Sequence, residues 1–166
     1  IDEAHGAHLV ASEQFPQSAV QTGADVVVQS AHKTLPAMTM AWYIHIRSEL
    51  VNHDRVAHYL RMLQSSSPSY VLMASLDDAR AYVESYLETD AKFCLEKRDQ
   101  WIEAITAIPD VEVITVDDPL KLLIRVKGYT GNQIREALEA EGIYIELADP
   151  VQVLAIMPLL KYGEVY

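Results

Sequence analysis

Asp2, in the opening run Ile1-Asp2-Glu3-Ala4-His5-Gly6-Ala7-His8, and Lys33, in Val27-Val28-Gln29-Ser30-Ala31-His32-Lys33-Thr34-Leu35-Pro36, are the residues whose types and placement can do chemistry together. The acid stands at one strand end and the lysine closes another apolar run. A lysine amine that is partly desolvated can attack an aldehyde to form a Schiff base. An aspartate against a pyridine nitrogen keeps that nitrogen protonated, which makes the ring an electron sink. Pyridoxal phosphate carries both the aldehyde and the ring, and Ser30 and His32 lie where they can help hold the phosphate and the cofactor.

Elements that position such a pair are visible in the pattern of apolar residues. Segments 24–28 and 41–46 are rich in β-branched and aromatic residues and read as strands. Their apolarity is continuous rather than alternating, as in strands covered on both faces, so an α/β sheet is expected, with ligands beyond the strand ends. A helix is expected over 51–63, followed by a loop at the serine run Ser65-Ser66-Ser67 that Pro68 closes. Ser75, with Asp77 and Asp78 in the first turn after it, offers a helix N-cap. Leu76, Ala79, Val83, Tyr86, Phe93, Leu95, Trp101 and Ile105 then recur at roughly helical spacing, predicting one long helix that ends before Pro109. Strands over 111–116 and 122–126, a helix over 130–141 and strands over 143–147 and 151–157 make a small α+β unit. Thr130 and Gln133 form a possible capping box, and Gly142 can terminate that helix.

The composition sets limits on partners. The 166 residues are half hydrophobic, enough for one core, and carry a net charge of −11 with no basic stripe, which disfavours binding a nucleic-acid backbone. An acidic surface suits cationic diamines and their precursors, although solubility alone explains it. No signal-peptide pattern or membrane-length apolar run is visible, and a single cysteine, Cys94, cannot close an internal disulfide. A cytoplasmic, reducing setting is therefore expected, with Cys94 in core packing.

The two motifs together, Asp2-Glu3-Ala4-His5 and Ser30-Ala31-His32-Lys33, resemble the signature of the bacterial ornithine/lysine/arginine decarboxylases, which have the aspartate aminotransferase fold (fold type I). The resemblance covers nearly the whole chain, though only these motifs are diagnostic; segments 64–70 and 141–146 are weaker landmarks. It implies pyridoxal phosphate as cofactor, with Lys33 as the Schiff-base lysine and Asp2 as the pyridine partner. Ala4 would pack on one face of the ring, His5 would lie near the substrate, and Ser30 and His32 would help hold the cofactor. Ser66 and Ser67 would approach the phosphate of a neighbouring subunit's cofactor in a homo-oligomer, at least a dimer. Glu146 would pair with the distal cation of a basic amino acid substrate. The implied fold is an α/β large domain followed by a small α+β domain: residues 1–74 the C-terminal part of the cofactor-binding domain, 75–108 the linking helix and 109–166 the small domain. The implied reaction is decarboxylation of lysine, arginine or ornithine to the corresponding amine. Because the chain opens directly on Ile1 and is shorter than a complete enzyme of this family, it is read as a fragment, truncated at front and back and inactive or nearly so alone.

Plainer explanations exist for each residue. A strand-end lysine is ordinarily a surface residue, and only the joint motif context changes that for Lys33. Glu3, His5 and His8 do not show zinc spacing, so no metal site is expected. Asp-Glu-Ala-His also spells a helicase motif, but the phosphate-cradling loop ending in Gly-Lys-Ser/Thr is missing. Ser66 and Ser67 read equally as a polar loop, and Glu146 as a charge on an exposed strand. His8, His45, His53 and His58 are expected to be surface or satisfied interior residues. Rival functions are an aminotransferase or acyl-transferring synthase of the same fold, disfavoured by His32 directly before Lys33, and a noncatalytic remnant for cofactor binding or oligomerisation.

Overall fold

Consecutive valines, stiff at χ1 and suited to a pleated surface, build β1 (Val26–Gln29) in a computed structural model that describes residues 1–65 and 67–165. Val27 and Gln29 point to one buried face, at 1% and 2% exposure. β2 (Tyr43–Ile46) pairs with β1 antiparallel, with Val26 opposite Ile46 and Gln29 opposite Tyr43. Along the other edge of β1 the first residues run parallel. Val28 N–H donates to Ile1 O at 3.1 Å, Glu3 N–H to Val28 O at 2.9 Å, and Ser30 N–H to Ala4 O at 3.1 Å. Both motifs are thus stitched together by backbone hydrogen bonds.

The chain divides into two units, Ile1–Glu88 and Thr89–Tyr166. In the first, a 3-10 turn at Leu9–Ala11 precedes β1, and the short helix α1 (Ala31–Thr34) follows it directly. α2 (His53–Leu63) starts where Asn52 accepts a hydrogen bond from Arg55 N–H. Small residues Ala7, Ala31, Ala41 and Ala79, all at most 2% exposed, are buried in this unit together with Val27, Phe15 and Tyr86, the last two with ring centroids 6.5 Å apart.

Where the sequence predicts one linking helix over 75–108, the structure has two, α3 (Tyr70–Glu84) and α4 (Glu88–Thr106). Ser69, not Ser75, caps α3 by accepting from Leu72 N–H, while the Ser75 hydroxyl takes Met38 N–H at 2.7 Å from a distant loop. α3 stops at Ser85, whose hydroxyl donates back to Ala81 O at 2.7 Å. Tyr86 is then buried. The Glu88 carboxylate accepts from Ser12 Oγ at 2.8 Å, Gln14 Nε2 at 3.1 Å and Glu13 N–H at 3.2 Å. Long-range contacts break the helix that apolar periodicity alone would continue. Those donors, Gln14 first and then Ser12, hold the Glu88 carboxyl below its ordinary range.

In the second unit β3 (Val111–Thr115), β4 (Lys121–Val126), β5 (Leu147–Ala148) and β6 (Val153–Ile156) form an antiparallel sheet in the order β3-β4-β6-β5. α5 (Gly131–Ala140) covers it, and Ile124, Ile134 and Val153 form a core with Trp101 of α4 and Leu138 packed against it. The strand predicted over 143–147 shrinks to Leu147–Ala148, because Ile143 N–H still closes the end of α5 onto Leu138 O at 2.9 Å. Cys94 is buried and its thiol donates to Pro158 O at 3.7 Å, the packing role expected of it. Among the described residues no helix is long and apolar enough to cross a membrane.

Thr130 accepts from Gln133 N–H at 3.3 Å while the Gln133 side chain takes Thr130 N–H at 2.9 Å, which is the predicted capping box. Thr130→Ala removes the acceptor of Gln133 N–H, while the backbone N–H of residue 130 keeps its Gln133 acceptor, and is expected to cost about 1 kcal/mol of stability. Urea denaturation checks this: the midpoint should fall with an unchanged slope.

Candidate active site

Backbone pairing decides which side chains meet. Asp2, which bridges Val28 in parallel, and the next residue, Glu3, point to opposite sides, and the chain then turns at Ala4 and His5. Asp2 is exposed, and one of its carboxylate oxygens accepts Ala4 N–H at 3.1 Å. Ser30 caps α1 without a side-chain cap hydrogen bond, which leaves its hydroxyl available. Because α1 begins immediately after β1, Lys33 is carried to the strand end beside the Asp2-Ala4 edge.

Lys33 Nζ lies 3.0 Å from His5 Nε2. With Lys33 as an ammonium, which only donates, His5 Nε2 is the acceptor. The second His in the motifs is also held. His32 Nδ1–H donates to Ala41 O at 2.8 Å, and the preceding residue, Met40, adopts a left-handed φ of 76° that presents this carbonyl. Such a backbone is uncommon for methionine and costs on the order of 1 kcal/mol, which surrounding contacts must offset.

Glu3 faces the opposite side, where Ser18, Ala19 and Gln29 saturate its carboxylate. Ser67 is exposed and its N–H is taken by Ser65 Oγ at 3.2 Å; Ser66 lies outside the described residues. Glu146 belongs to the second unit, exposed in the bend before β5 rather than within a strand, with its N–H on Leu154 O at 3.0 Å. The structure therefore joins Asp2, Ala4, His5, Ser30, His32 and Lys33 in one region. Sequence reasoning missed the His5–Lys33 contact, and it assigned no role to the Glu3 anchor or to the His45–Gln29 pair beside it. Only the joint spacing of the two motifs hinted at the contact, and nothing in the sequence marks which residues face Glu3.

The residues present fit pyridoxal phosphate on four counts. An exposed amine is held by a histidine ring nitrogen, a small residue at Ala4 permits close approach, and an exposed carboxylate stands on the same edge. In addition, Thr34 Oγ1, next to Lys33, is buried with no hydrogen-bond partner among the described residues.

The structure shares its fold with lysine decarboxylase A from Pseudomonas aeruginosa, at a TM-score of 0.80 and 18% identity, over 99% of this chain and 30% of that one. The fold is that of the fold type I enzymes. A family model described as Orn/Lys/Arg decarboxylase, major domain, matches residues 1–115. The chain belongs to the Orn/Lys/Arg decarboxylase family. It is 51% identical over 168 residues to the uncharacterized protein YaaO of Bacillus subtilis (strain 168), covering 96% of this chain and 35% of that protein. It is 34% identical over 169 residues to the arginine decarboxylase of the same organism, covering 94% of this chain and 34% of the enzyme. The chain thus spans about a third of the length of these relatives.

Proposed function

We propose that this chain carries the lysine-bearing part of the active site of a pyridoxal-phosphate-dependent decarboxylase acting on a basic amino acid, lysine, arginine or ornithine. The observation that carries the reading is the 3.0 Å contact between Lys33 Nζ and His5 Nε2 at the edge that also bears Asp2. Bound there, pyridoxal phosphate supplies an aldehyde and an electron-accepting ring. The Lys33 amine anchors the aldehyde, and His5 Nε2 accepts the ammonium proton that must leave before the amine is nucleophilic. Asp2 holds a proton on the ring nitrogen, and Ala4 leaves room for one face of the ring. The Ser30 hydroxyl, with Ser66 and Ser67 from a neighbouring subunit, donates to the phosphate, while the His32 imidazole, fixed by Ala41 O, borders the cofactor. Glu146 selects the distal cation of the substrate. Residues 1–74 then form the C-terminal part of the cofactor domain and 109–166 the small domain, in a homo-oligomer that is at least a dimer.

Incubation with pyridoxal phosphate followed by borohydride reduction and peptide mass spectrometry tests the reading. A visible absorbance band lost on reduction, with the adduct on Lys33, is expected. Scattered labelling of surface lysines would instead favour a noncatalytic remnant. Where catalysis is assayed, released carbon dioxide and an amine are expected, whereas a keto acid product would assign an aminotransferase. The isolated chain is expected to release little or no amine.

A further inference from the structure

The two adjacent acids of the Asp2-Glu3 pair pose a problem of register. A slip of one residue against β1 would exchange their faces and put Glu3 where Asp2 stands. Something must distinguish the two carboxylates. On the side opposite Asp2, Glu3 Oε1 accepts Ala19 N–H at 2.8 Å, and Glu3 Oε2 accepts Ser18 Oγ at 2.6 Å and Gln29 Nε2 at 2.6 Å. Ser18 is fully buried and Gln29 is 2% exposed, so these are donors removed from water whose loss of an acceptor is costly. Gly6 completes the fit, because a Cβ there would press on the Glu3 Cγ and Cδ.

The same bonds orient a longer chain of groups. A carboxylate only accepts, so Gln29 must turn its NH2 toward Glu3 and its Oε1 toward His45, whose Nε2 lies 3.0 Å away. His45 must therefore carry its proton on Nε2. Burial lowers the His45 pKa, with the Glu3 charge acting against that shift, so the ring is held as a neutral donor.

We propose that Glu3 is a positioning residue for the Lys33 site: by accepting hydrogen bonds from Ser18, Ala19 and Gln29 on the face opposite Asp2, it locks the strand register that fixes the side Asp2 takes and holds His5 against Lys33. This rests on the cofactor reading above for what the register serves. Glu3→Gln replaces one acceptor with a donor. With Ala19 N–H holding the remaining oxygen, the new NH2 faces Gln29, whose amide turns over at the cost of its 3.3 Å donation to Gly6 O, and its own NH2 then meets His45 Nε2. The proton of His45 must move to Nδ1.

The test combines 15N NMR of the His45 ring with titration of pyridoxal phosphate in the full chain, Glu3→Gln, and the swapped pair Glu3→Gln/Gln29→Glu. The unaltered chain should show His45 protonated on Nε2 and a reducible adduct on Lys33. Glu3→Gln should move the proton to Nδ1 and weaken cofactor binding about tenfold, the equivalent of one lost charge-assisted hydrogen bond. The swapped pair restores the donor–acceptor order and should recover both, which general loosening of the fold would not. Should Glu3→Gln not fold, Ser18→Ala decides: loss of one donor should weaken cofactor binding by about threefold. Equal affinity in the unaltered and altered chains overturns the positioning role and leaves the cofactor reading standing. No Lys33 adduct in the unaltered chain overturns both.

Discussion

Lys33→Ala is expected to abolish the borohydride-trapped adduct completely, reducing labelling to the background of the other lysines. The reason is chemical rather than structural. Lys33 is exposed, and the one described hydrogen bond of its side chain is with His5, so truncation removes the nucleophile with little effect on packing. Lys33→Arg sharpens the test. A guanidinium retains the positive charge and can still donate to His5 Nε2, but it has no amine free to condense with an aldehyde. Both variants should therefore fail to form the adduct, while Lys33→Arg keeps the charge. Mass spectrometry of the reduced peptides, with circular dichroism to verify folding, makes the comparison. An adduct of undiminished yield in Lys33→Ala would move the anchoring role to another residue.

The second large effect belongs to the second unit. Gly131→Ala places a Cβ inside contact distance of the carbonyl oxygens of Gln152 and Asp149, at the point where the first turn of α5 crosses the loop before β6. That loop cannot yield easily. Asp149 N–H donates to Gln152 O at 2.9 Å, its carboxylate accepts Val151 N–H at 2.7 Å and Gln152 N–H at 3.0 Å, and Arg125 Nε holds the Gln152 side chain at 2.9 Å. The Val151 N–H bond, opposed by desolvation, lowers the Asp149 pKa, so the clamp is ionised at neutral pH. Overpacking against fixed backbone is expected to cost on the order of 3 kcal/mol. For a unit of this size that is a fall in Tm of more than about 10 °C. Gly142→Ala is the control: its positive φ of 78° predicts a strain cost of about 1 kcal/mol, but no atom lies near its missing Cβ. A calorimetric Tm for Gly131→Ala that matches Gly142→Ala would remove the close approach as the cause.

What the sequence determined is local or combinatorial. The Thr130–Gln133 capping box and the stiff valines of β1 act over a few residues, and their physics does not depend on distant partners. The family was legible too, since Asp2-Glu3-Ala4-His5 followed by Ser30-Ala31-His32-Lys33 is a pairing of residue types that ordinary packing has no reason to produce. Short-range signals were less decisive where a distant group competed. Ser75 looked like a cap, but Met38 N–H takes its hydroxyl, and the helix starts five residues earlier at Tyr70, after the Ser69 cap. The apolar repeat ran through Ser85 without a mark, yet burial of Tyr86 and the engagement of Glu88 by Ser12, Glu13 and Gln14 split the helix there. Tertiary structure alone decided that Glu3 turns away from Asp2, that His45 carries its proton on Nε2, and that His5 meets Lys33. The physical reason is that strand register and hydrogen-bond direction are properties of residues far apart in sequence, fixed only when folding brings donor and acceptor together.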